Sequence, residues 1–369
     1  MEPLYFIVIF FTIACLLYLF ELAWIWGGLA QYKPELRPDF ETPVSLIIAA
    51  RDEIKNLKAN IDSWLNQKHN GYELIIINDC SDDESEFFLA ECQRKHAHLH
   101  VINLKESNVF KGGKKYALTL GIKGAQFERL IFTDADCQPS GPYWLAYMNA
   151  QFTEEKSIVL GFGQYLKEKG LLNYLVRMDT IQTGIQYLGL AARSNPYMGV
   201  GRNLAYTKGL FFEHEGFKSH LNIQWGDDDL FINKAANRYN TALCSIPDAI
   251  TFSEPKKTFK DWFHQKRRHM STSGKYDLKT KMLISIKPLR IILFYTFLVW
   301  GMFYPELLIS FLISAFILYL AHALIFIVLI KKIGRVEKCA FFPISELFLF
   351  LINSLIYIST WLKAPTKWN

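Results

Sequence analysis

Apolar and polar positions divide the chain into blocks that predict two kinds of structure. Between residues 43 and 285, apolar runs at 44–49, 74–77, 101–104 and 130–133 are separated by stretches with helical periodicity. Continuous apolar strands joined by crossover helices are typical of a parallel sheet that is covered on both faces. This part of the chain therefore predicts a single α/β domain.

Longer apolar runs flank this block at residues 4–26, 289–330 and 341–362. A membrane-spanning helix needs roughly 20 apolar residues, so the first and third runs fit one helix each and the second fits two. The first run lacks the basic start and small-residue exit of a cleaved signal peptide, which favours a retained anchor. The predicted organisation is an N-terminal transmembrane anchor over 1–28, a soluble domain over 43–285 with an interfacial helix at its end, and about three C-terminal transmembrane helices over 289–362.

Basic residues near the apolar runs predict the orientation of the chain in the membrane. Lys33 and Arg37 follow the first run, and Lys331 and Arg335 follow the second. Because basic loops favour the cytoplasmic side, we expect an integral membrane protein of the bacterial inner membrane with its soluble domain in the cytoplasm.

Composition excludes some classes of partner and site. The six cysteines form no CxxC pair, which argues against a zinc site or a disulfide framework and agrees with a reduced compartment. The net charge of +6 fits anionic lipid headgroups. No compact basic stripe with interleaved aromatic residues appears, so no nucleic-acid partner is expected.

Two aspartates, Asp134 and Asp136, follow the apolar run 130–133. The carboxyl edge of an open α/β sheet is where such folds bind ligands. Hard cations such as Mg²⁺ or Mn²⁺ prefer carboxylate oxygens together with substrate phosphates. The alternative is a strand-end turn with two solvated acids.

Asp79 and Lys114 are weaker candidates in the same half of the domain. Asp79 ends the second apolar run, where its carboxylate could accept a hydrogen bond from a base or ribose or simply cap the following helix. Lys114 follows two glycines, but the segment lacks the glycine spacing and the Ser/Thr of a phosphate loop. A point charge on a diphosphate and a solvated helix start both remain open for Lys114.

Two further clusters occur in the second half of the domain. Asp227, Asp228 and Asp229 repel each other, so at least one pKa should rise and make a candidate general base, although helix capping is the alternative. On a helix, Gln265, Arg268 and His269 would share one face. That face could hold an anionic leaving group, or it could rest on lipid headgroups. 

Taken in order, these segments resemble the membrane-bound branch of the family 2 inverting glycosyltransferases. That branch includes cellulose, chitin, hyaluronan and poly-N-acetylglucosamine synthases and ceramide glucosyltransferase. The resemblance implies a GT-A nucleotide-sugar-binding domain with a mixed, mainly parallel sheet, and it covers residues 43–275. The ordered set of motifs is far more specific than any single one of them.

The resemblance also implies roles for individual residues. The motif Asp134-Ala135-Asp136 matches the family's metal-binding Asp-x-Asp, with Asp136 on Mg²⁺ or Mn²⁺ and Asp134 on the sugar or the metal. The other implied roles are nucleotide contacts by Glu53 and Asp79, a diphosphate contact by Lys114, a general base at Asp228 or its neighbour Asp227, and leaving-group contacts by Gln265, Arg268 and His269.

Three residues depart from the family's pattern. Asn78 replaces an aspartate, and Asp227 replaces a glutamate, which leaves the base assignment open by one residue. His269 replaces a tryptophan near the acceptor site, so the acceptor is less certain than the chemistry. The family's counterpart of the segment from Gly199 lines the acceptor side, which makes Arg202 and Asn203 candidate acceptor contacts.

The expected function is transfer of a sugar from a nucleotide sugar, with a UDP-sugar favoured over a GDP-sugar, to a lipid or glycan acceptor. A catalytically degenerate nucleotide-sugar-binding subunit or sensor is the alternative. The intact acids at 79, 134, 136 and 228 favour the enzyme. Four predicted spans are few for a monomer that also exports a polymer, which leaves a lipid acceptor or an oligomeric synthase open.

Overall fold

One large sheet and one small sheet form the centre of the molecule. The computed structural model describes residues 2–106, 113–223, 225–334 and 342–362. The strands in these residues are β1 (Val44–Ala50), β2 (Tyr72–Asp79), β3 (Leu99–Leu104), β4 (Arg129–Phe132), β5 (Cys137–Pro139), β6 (Ile158–Leu160), β7 (Gly163–Tyr165), β8 (Leu204–Thr207), β9 (Thr241–Leu243) and β10 (Thr251–Ser253).

The described strands of the large sheet lie in the order β3-β2-β1-β4-β8-β6-β9. Strand β1 is parallel to β2 and β4, β2 is parallel to β3, and β8 runs antiparallel to β4 and β6. Strands β1 and β2 are buried along almost their whole length, as their unbroken apolar sequences predict. The sheet is therefore mixed and mainly parallel, and the carboxyl ends of β1, β2 and β4 meet at one edge.

The small sheet, in the order β5-β10-β7, is tied to this edge of the large sheet. Strand β5 begins directly after the turn that carries Asp134 and Asp136. The hydroxyls of Thr133 and Thr251 both donate to the carbonyl of Arg202, each over 2.9 Å. These bonds fix the backbone of Arg202 between the two sheets.

Helices cover the sheets and form a separate apolar layer. The helices in the described residues are α1 (Glu2–Glu21), α2 (Gly27–Gln31), α3 (Ile54–Leu65), α4 (Ser85–Lys95), α5 (Lys114–Gly124), α6 (Trp144–Asn149), α7 (Leu171–Ala192), α8 (Lys208–Glu213), α9 (Asp229–Ala235), α10 (Phe259–Ser273), α11 (Leu278–Gly301), α12 (Pro305–Ile333) and α13 (Phe342–Leu362). A π-helical turn, Leu22–Trp26, joins α1 to α2.

Four stretches of helix in the described residues are long and apolar enough to cross a membrane: Leu4–Gln31, Leu278–Gly301, Pro305–Ile333 and Ser345–Leu362. One is N-terminal and three are C-terminal, as the apolar runs predict. Arg335, one of the basic residues used to predict orientation, lies outside the described residues.

Aromatic stacking fills the core of the bundle formed by α1, α11 and α12. The ring of Phe11 stacks on Phe311 with centroids 3.9 Å apart and on Phe294 with centroids 5.7 Å apart. At the end of the bundle near the sheet, the Tyr18 hydroxyl and His322 Nδ1 are 2.6 Å apart. Side chains of all three helices are therefore in direct contact at these positions.

Helix α13 lies between this bundle and the α/β domain. Near its start, Glu346 contacts Arg290 of α11, and Arg290 also contacts Glu21 of α1. Further along, Asn353 Nδ2 donates to Asp179 of α7 over 2.9 Å. Most of the packing of α13 is against α10, so this helix connects the apolar layer to the α/β domain.

Candidate active site

A cavity of about 1240 Å³ opens at the carboxyl edge of the large sheet and reaches the helices beyond it. The loops after β1 and β4 form its upper wall. The segment before α9 and one face of α10 form the opposite wall. The residues predicted from the sequence that line it are Glu53, Lys114, Asp134, Asp136, Arg202, Asp227, Asp228, Asp229, Gln265, Arg268 and His269.

Asp134 and Asp136 lie in the turn between β4 and β5. One ligand atom from each of Asp134, Asp136 and Cys137 lies within 4.8 Å of the others. Burial and the adjacent charged Asp136 raise the pKa of the Cys137 thiol well above its usual value, so this group stays protonated and is a poor ligand for a hard ion. The two carboxylates are the donors that fit Mg²⁺ or Mn²⁺.

The two carboxylates differ in their electrostatic surroundings. Burial and the neighbouring charge of Asp134 raise the pKa of Asp136. Burial also acts to raise the pKa of Asp134, but the Lys114 ammonium outweighs it and the net shift is downward. Asp136 therefore has a deficit of positive charge around it, which a bound cation would supply.

Lys114 links the strand-end acids to the second acidic cluster. It is the first residue of α5, and its Nζ lies 2.9 Å from Asp134 Oδ1 and 2.9 Å from Asp227 Oδ2. Burial lowers the pKa of Lys114, but the nearby aspartates more than reverse this and hold it well above the ordinary value. Lys114 is thus a fixed positive charge within the site.

The three consecutive aspartates have three different environments. Asp227 pairs with Lys114. Asp229 is buried in the cavity wall and accepts hydrogen bonds from Thr272 Oγ1 at 2.5 Å and Tyr276 Oη at 2.7 Å. Asp229 therefore anchors α9 to the end of α10 and the segment that follows it.

Asp228 lies between these two environments. It caps α9 by accepting the backbone N–H of Asp229 over 2.8 Å, and its other oxygen accepts the N–H of Gly201 over 2.7 Å. Burial raises the pKa of Asp228 to about 7, and the charges of Asp227 and Asp229 add to the shift. The same side chain thus serves as a helix cap and as a carboxylate whose pKa is near neutrality.

Gly201 allows the loop before β8 to approach these charges. A β-carbon at this position would lie 3.4 Å from Lys114 Nζ and 3.5 Å from Asp228 Oδ2. Any larger side chain would crowd the space between the two acidic clusters.

Helix α10 turns its predicted face toward the cavity. Gln265 Nε2 donates to Tyr165 Oη over 2.9 Å, and the Arg268 guanidinium lies 5.0 Å from the centre of the Trp225 ring. His269 also lines the cavity. Contacts with Tyr165 and Trp225 direct this face inward, whereas Lys260 on the same helix is exposed.

Glu53 and Asp79 differ in their relation to the cavity. Glu53 lines it beside the Asp134–Asp136 turn, and burial, with smaller contributions from those two acids, raises its pKa. Asp79 is buried at the end of β2, where its Oδ2 accepts the N–H of Gly113 over 2.8 Å. Among the described residues, its Oδ1 has no hydrogen-bond partner, and Asp79 is not part of the cavity lining.

The prediction that Asn203 contacts an acceptor is wrong. Its side chain is fully buried, donates to the carbonyls of Phe162 and Ala249, and accepts from Trp144 Nε1. The amide thus pairs with the carbonyl of Ala249 and adds a second donor to the carbonyl of Phe162, which also accepts the N–H of Thr251.

Arg202 lines the cavity near the Asp-x-Asp turn. Its guanidinium lies 4.6 Å from the Tyr165 ring centre, and Nη1 donates to Ser253 Oγ over 3.2 Å. Burial lowers its pKa, but Tyr165, Cys137, Asp136 and Asp134 reverse this and raise it. Arg202 is therefore a cation on the strand side of the site.

Sequence reasoning missed Lys115, Tyr165 and Trp225. Lys115 Nζ donates to the carbonyls of His220, Ile223 and Trp225 over 2.7, 2.7 and 2.8 Å, which holds the loop leading to the three aspartates. The two adjacent lysines stand out in the sequence, but the sequence does not show that their side chains contact different partners.

Comparison with known proteins shows what this chain is similar to. Residues 45–216 match the model described as "Glycosyl transferase family 2". "Probable glycosyltransferase YdaM" of Bacillus subtilis is 24% identical over 79% of this chain and 72% of its own length. "Poly-beta-1,6-N-acetyl-D-glucosamine synthase" of Staphylococcus aureus is 24% identical, and the match covers 44% of this chain and less than half, 44%, of that protein.

Among solved structures, a mannosyltransferase of Pyrobaculum calidifontis in complex with GDP-mannose and Mn²⁺ superposes with a TM-score of 0.59. The match covers 96% of this chain and 99% of that protein at 15% identity. At this identity the likeness shows the fold alone, and the expected GT-A-like α/β fold with apolar helices is confirmed.

Proposed function

We propose that this chain, whose residues 45–216 match the family 2 glycosyltransferases, is a glycosyltransferase that transfers a sugar from a nucleotide-sugar donor with inversion at the anomeric carbon. One observation carries this proposal. Asp134 and Asp136 from one side of the cavity, and Asp227 and Asp228 from the other, converge around Lys114.

The donor diphosphate would lie beside Asp134 and Asp136. These two carboxylates would hold Mg²⁺ or Mn²⁺, which when bound offsets the negative charge that develops on the departing diphosphate. Support comes from their close spacing and from the raised pKa of Asp136. The mannosyltransferase with the similar fold was solved with Mn²⁺ and GDP-mannose.

Asp228 is proposed as the general base. Its carboxylate would take the proton from an acceptor hydroxyl, whose oxygen then attacks the anomeric carbon while the bond to the diphosphate breaks on the opposite face. A pKa of about 7 lets Asp228 be ionised near neutral pH and still accept a proton. Asp227 is the less suitable neighbour because its carboxylate is already paired with Lys114.

Cationic and polar groups would hold the leaving diphosphate. Arg268 and Gln265 reach the cavity from α10, and Arg202 and Lys114 reach it from the strand side. A guanidinium can bind phosphate through two parallel hydrogen bonds. Glu53 and Asp79 are proposed nucleotide contacts, Glu53 directly and Asp79 by way of the adjoining segment at Gly113.

The acceptor is proposed to be a lipid or a glycan at the membrane. The four apolar helices and the similarity to a poly-N-acetylglucosamine synthase support a membrane-bound enzyme, which we place in the bacterial inner membrane with its catalytic domain in the cytoplasm. A UDP-sugar remains the proposed donor, and a GDP-sugar is the alternative that the experiment below distinguishes.

The experiment measures nucleoside diphosphate release by the full chain in nanodiscs, with a panel of UDP- and GDP-sugars and with Mg²⁺, Mn²⁺ or EDTA. We expect metal-dependent release with at least one donor. Asp136→Ala should reduce it by about 10²–10³-fold or more. Asp82→Ala is the control, because this aspartate is exposed and does not line the cavity. Binding of a nucleotide sugar without release would instead favour the degenerate sensor.

A further inference from the structure

The cavity extends well beyond the acidic clusters. Its volume of about 1240 Å³ exceeds the roughly 300–1,000 Å³ typical of a pocket for one small ligand. Past the catalytic residues, its lining continues onto α7, α11 and α13. Space for a second substrate therefore lies on the side of the apolar helices.

Polar side chains surround the middle of this extension. Lys266 Nζ lies 2.7 Å from Asp179 Oδ2, and Lys287 Nζ donates to Gln182 Oε1 over 2.7 Å. Gln182 is 6% exposed and lines the cavity, yet its Nε2 has no partner among the described residues. An unpaired buried amide is costly, so a polar ligand group that accepts a hydrogen bond fits here.

Apolar and polar side chains of α11 and α13 line the cavity together. The apolar ones are Ile284, Pro288, Ile291, Phe350 and Tyr357, and they lie among Lys281, Ser285, Glu346, Asn353 and Ser354. The contact between α11 and α13 includes the Arg290–Glu346 ion pair, whereas α13 packs mainly on α10. The cavity thus reaches the space between these two helices, where part of its lining is apolar.

The outer face of α13 is itself apolar and exposed. At helical spacing it presents the exposed side chains Phe348, Leu351, Leu355, Ile358 and Leu362. Leu289 and Ile292 of α11 are also exposed. Exposed apolar side chains of this kind suit a lipid environment, so α13 has the cavity on one side and a lipid-compatible face on the other.

The cavity does not continue across the apolar bundle. Within the described residues, neither α1 nor α12 contributes to its lining. The rings of Phe11, Phe294 and Phe311 stack between α1, α11 and α12. Among the described residues, the cavity therefore reaches α11 and α13 and does not enter the interior of the bundle.

We infer that the extension is the acceptor site, and that its occupant is a membrane lipid whose headgroup carries the acceptor hydroxyl. The headgroup lies by Gln182 and Lys287, within the same cavity as Asp228, and the hydrocarbon tail runs between α11 and α13 into the bilayer. This inference rests on the proposed function and names its acceptor class.

The test follows the sugar of a radiolabelled donor in membranes that contain the full chain. The donor is the nucleotide sugar that gives metal-dependent release in the experiment above. Sugar is counted in three fractions: an organic extract, a precipitable polymer and the free sugar from hydrolysis. We expect the label in the organic extract. Label in the polymer fraction overturns the inference.

Two adjacent residues of α13 supply a matched pair of variants. Ser354 lines the cavity, whereas Leu355 is exposed on the outer face. Ser354→Trp should lower the ratio of lipid-linked to hydrolysed sugar at least tenfold, while Leu355→Trp should leave it unchanged. Equal ratios in the two variants overturn the inference.

Gln182→Leu provides a second variant that adds no bulk to the cavity. It should lower the same ratio at least threefold, because the amide that faces the headgroup is lost. An unchanged ratio in both Gln182→Leu and Ser354→Trp argues against this site. Absence of nucleotide release with every donor is a different result, since it removes the proposed function itself.

Discussion

The molecule contains two clusters of buried charge, one around Lys114 and one around Arg290. They differ in how fully neighbouring cations and donors balance the charge of their carboxylates. In the helix layer, the Arg290 guanidinium donates to Glu21 over 2.9 Å and to both oxygens of Glu346 over 3.1 and 2.6 Å. These side chains are at most 4% exposed. Each carboxylate there is matched to a donor on another helix, which is the pattern of a structural contact.

Around Lys114 the acids are less completely compensated. Asp134 and Asp227 share the ammonium, but the pKa values of Asp136 and Asp228 are still raised by burial and by neighbouring acids. A fold gains nothing in stability from carboxylates held together in this way. Such perturbed groups in a cleft indicate a binding or catalytic role.

The largest effect is expected at the proposed base. Asp228→Asn keeps the shape and one hydrogen-bond acceptor but cannot take a proton, so turnover should fall by a factor of about 10²–10⁴. Donor affinity, measured by nucleotide binding, should change little. Asp227→Asn is the matched control, and a greater loss in that variant would move the base by one residue.

The next largest effect is expected at the cluster around Arg290, and it should lower the free energy of unfolding. Arg290→Met leaves two buried carboxylates without their partner and should destabilise the chain by about 3–5 kcal/mol. Thermal unfolding of the purified chain measures this. The combined variant Arg290→Met, Glu21→Gln, Glu346→Gln removes all three charges and should recover most of the loss. A combined variant as unstable as Arg290→Met would contradict this account.

The sequence predicted the parts of the fold that depend on continuous patterns. The buried strands β1, β2 and β4 follow from unbroken apolar runs, and the apolar helices follow from length and composition. The motifs at 134–136 and 227–228 could be located because strand ends and helix starts bring acids to a sheet edge.

Contacts between distant segments could not be predicted in the same way. Nothing local distinguishes Lys114, which pairs with Asp134, from Lys115, which holds the loop at Trp225. Asn203 was a candidate acceptor contact because the family's counterpart of its segment lines the acceptor side, yet the crossing of two sheets buries it. Its surroundings come from residues more than forty positions away in the chain.

A smaller effect should distinguish the two interpretations of α10. Arg268→Ala should lower turnover about 10–100-fold, because a charge-assisted contact to the diphosphate contributes roughly 1.5–3 kcal/mol. Lys260→Ala should be silent, since Lys260 is exposed. If α10 merely rested on headgroups, the two substitutions should have equally small effects on turnover. Turnover of the membrane-inserted chain, measured for both variants, separates these outcomes.

The pH dependence of kcat/KM should report most directly on the carboxylates around Lys114. Asp228 acts as a base when it is ionised, and its pKa is about 7. As the pH falls below this value the protonated fraction grows, so kcat/KM should drop about tenfold per pH unit. Asp227→Asn removes one of the charges that raise the pKa of Asp228, and the acid limb of the profile should therefore move to lower pH. A limb that stays in place would show that Asp227 does not influence the group that titrates.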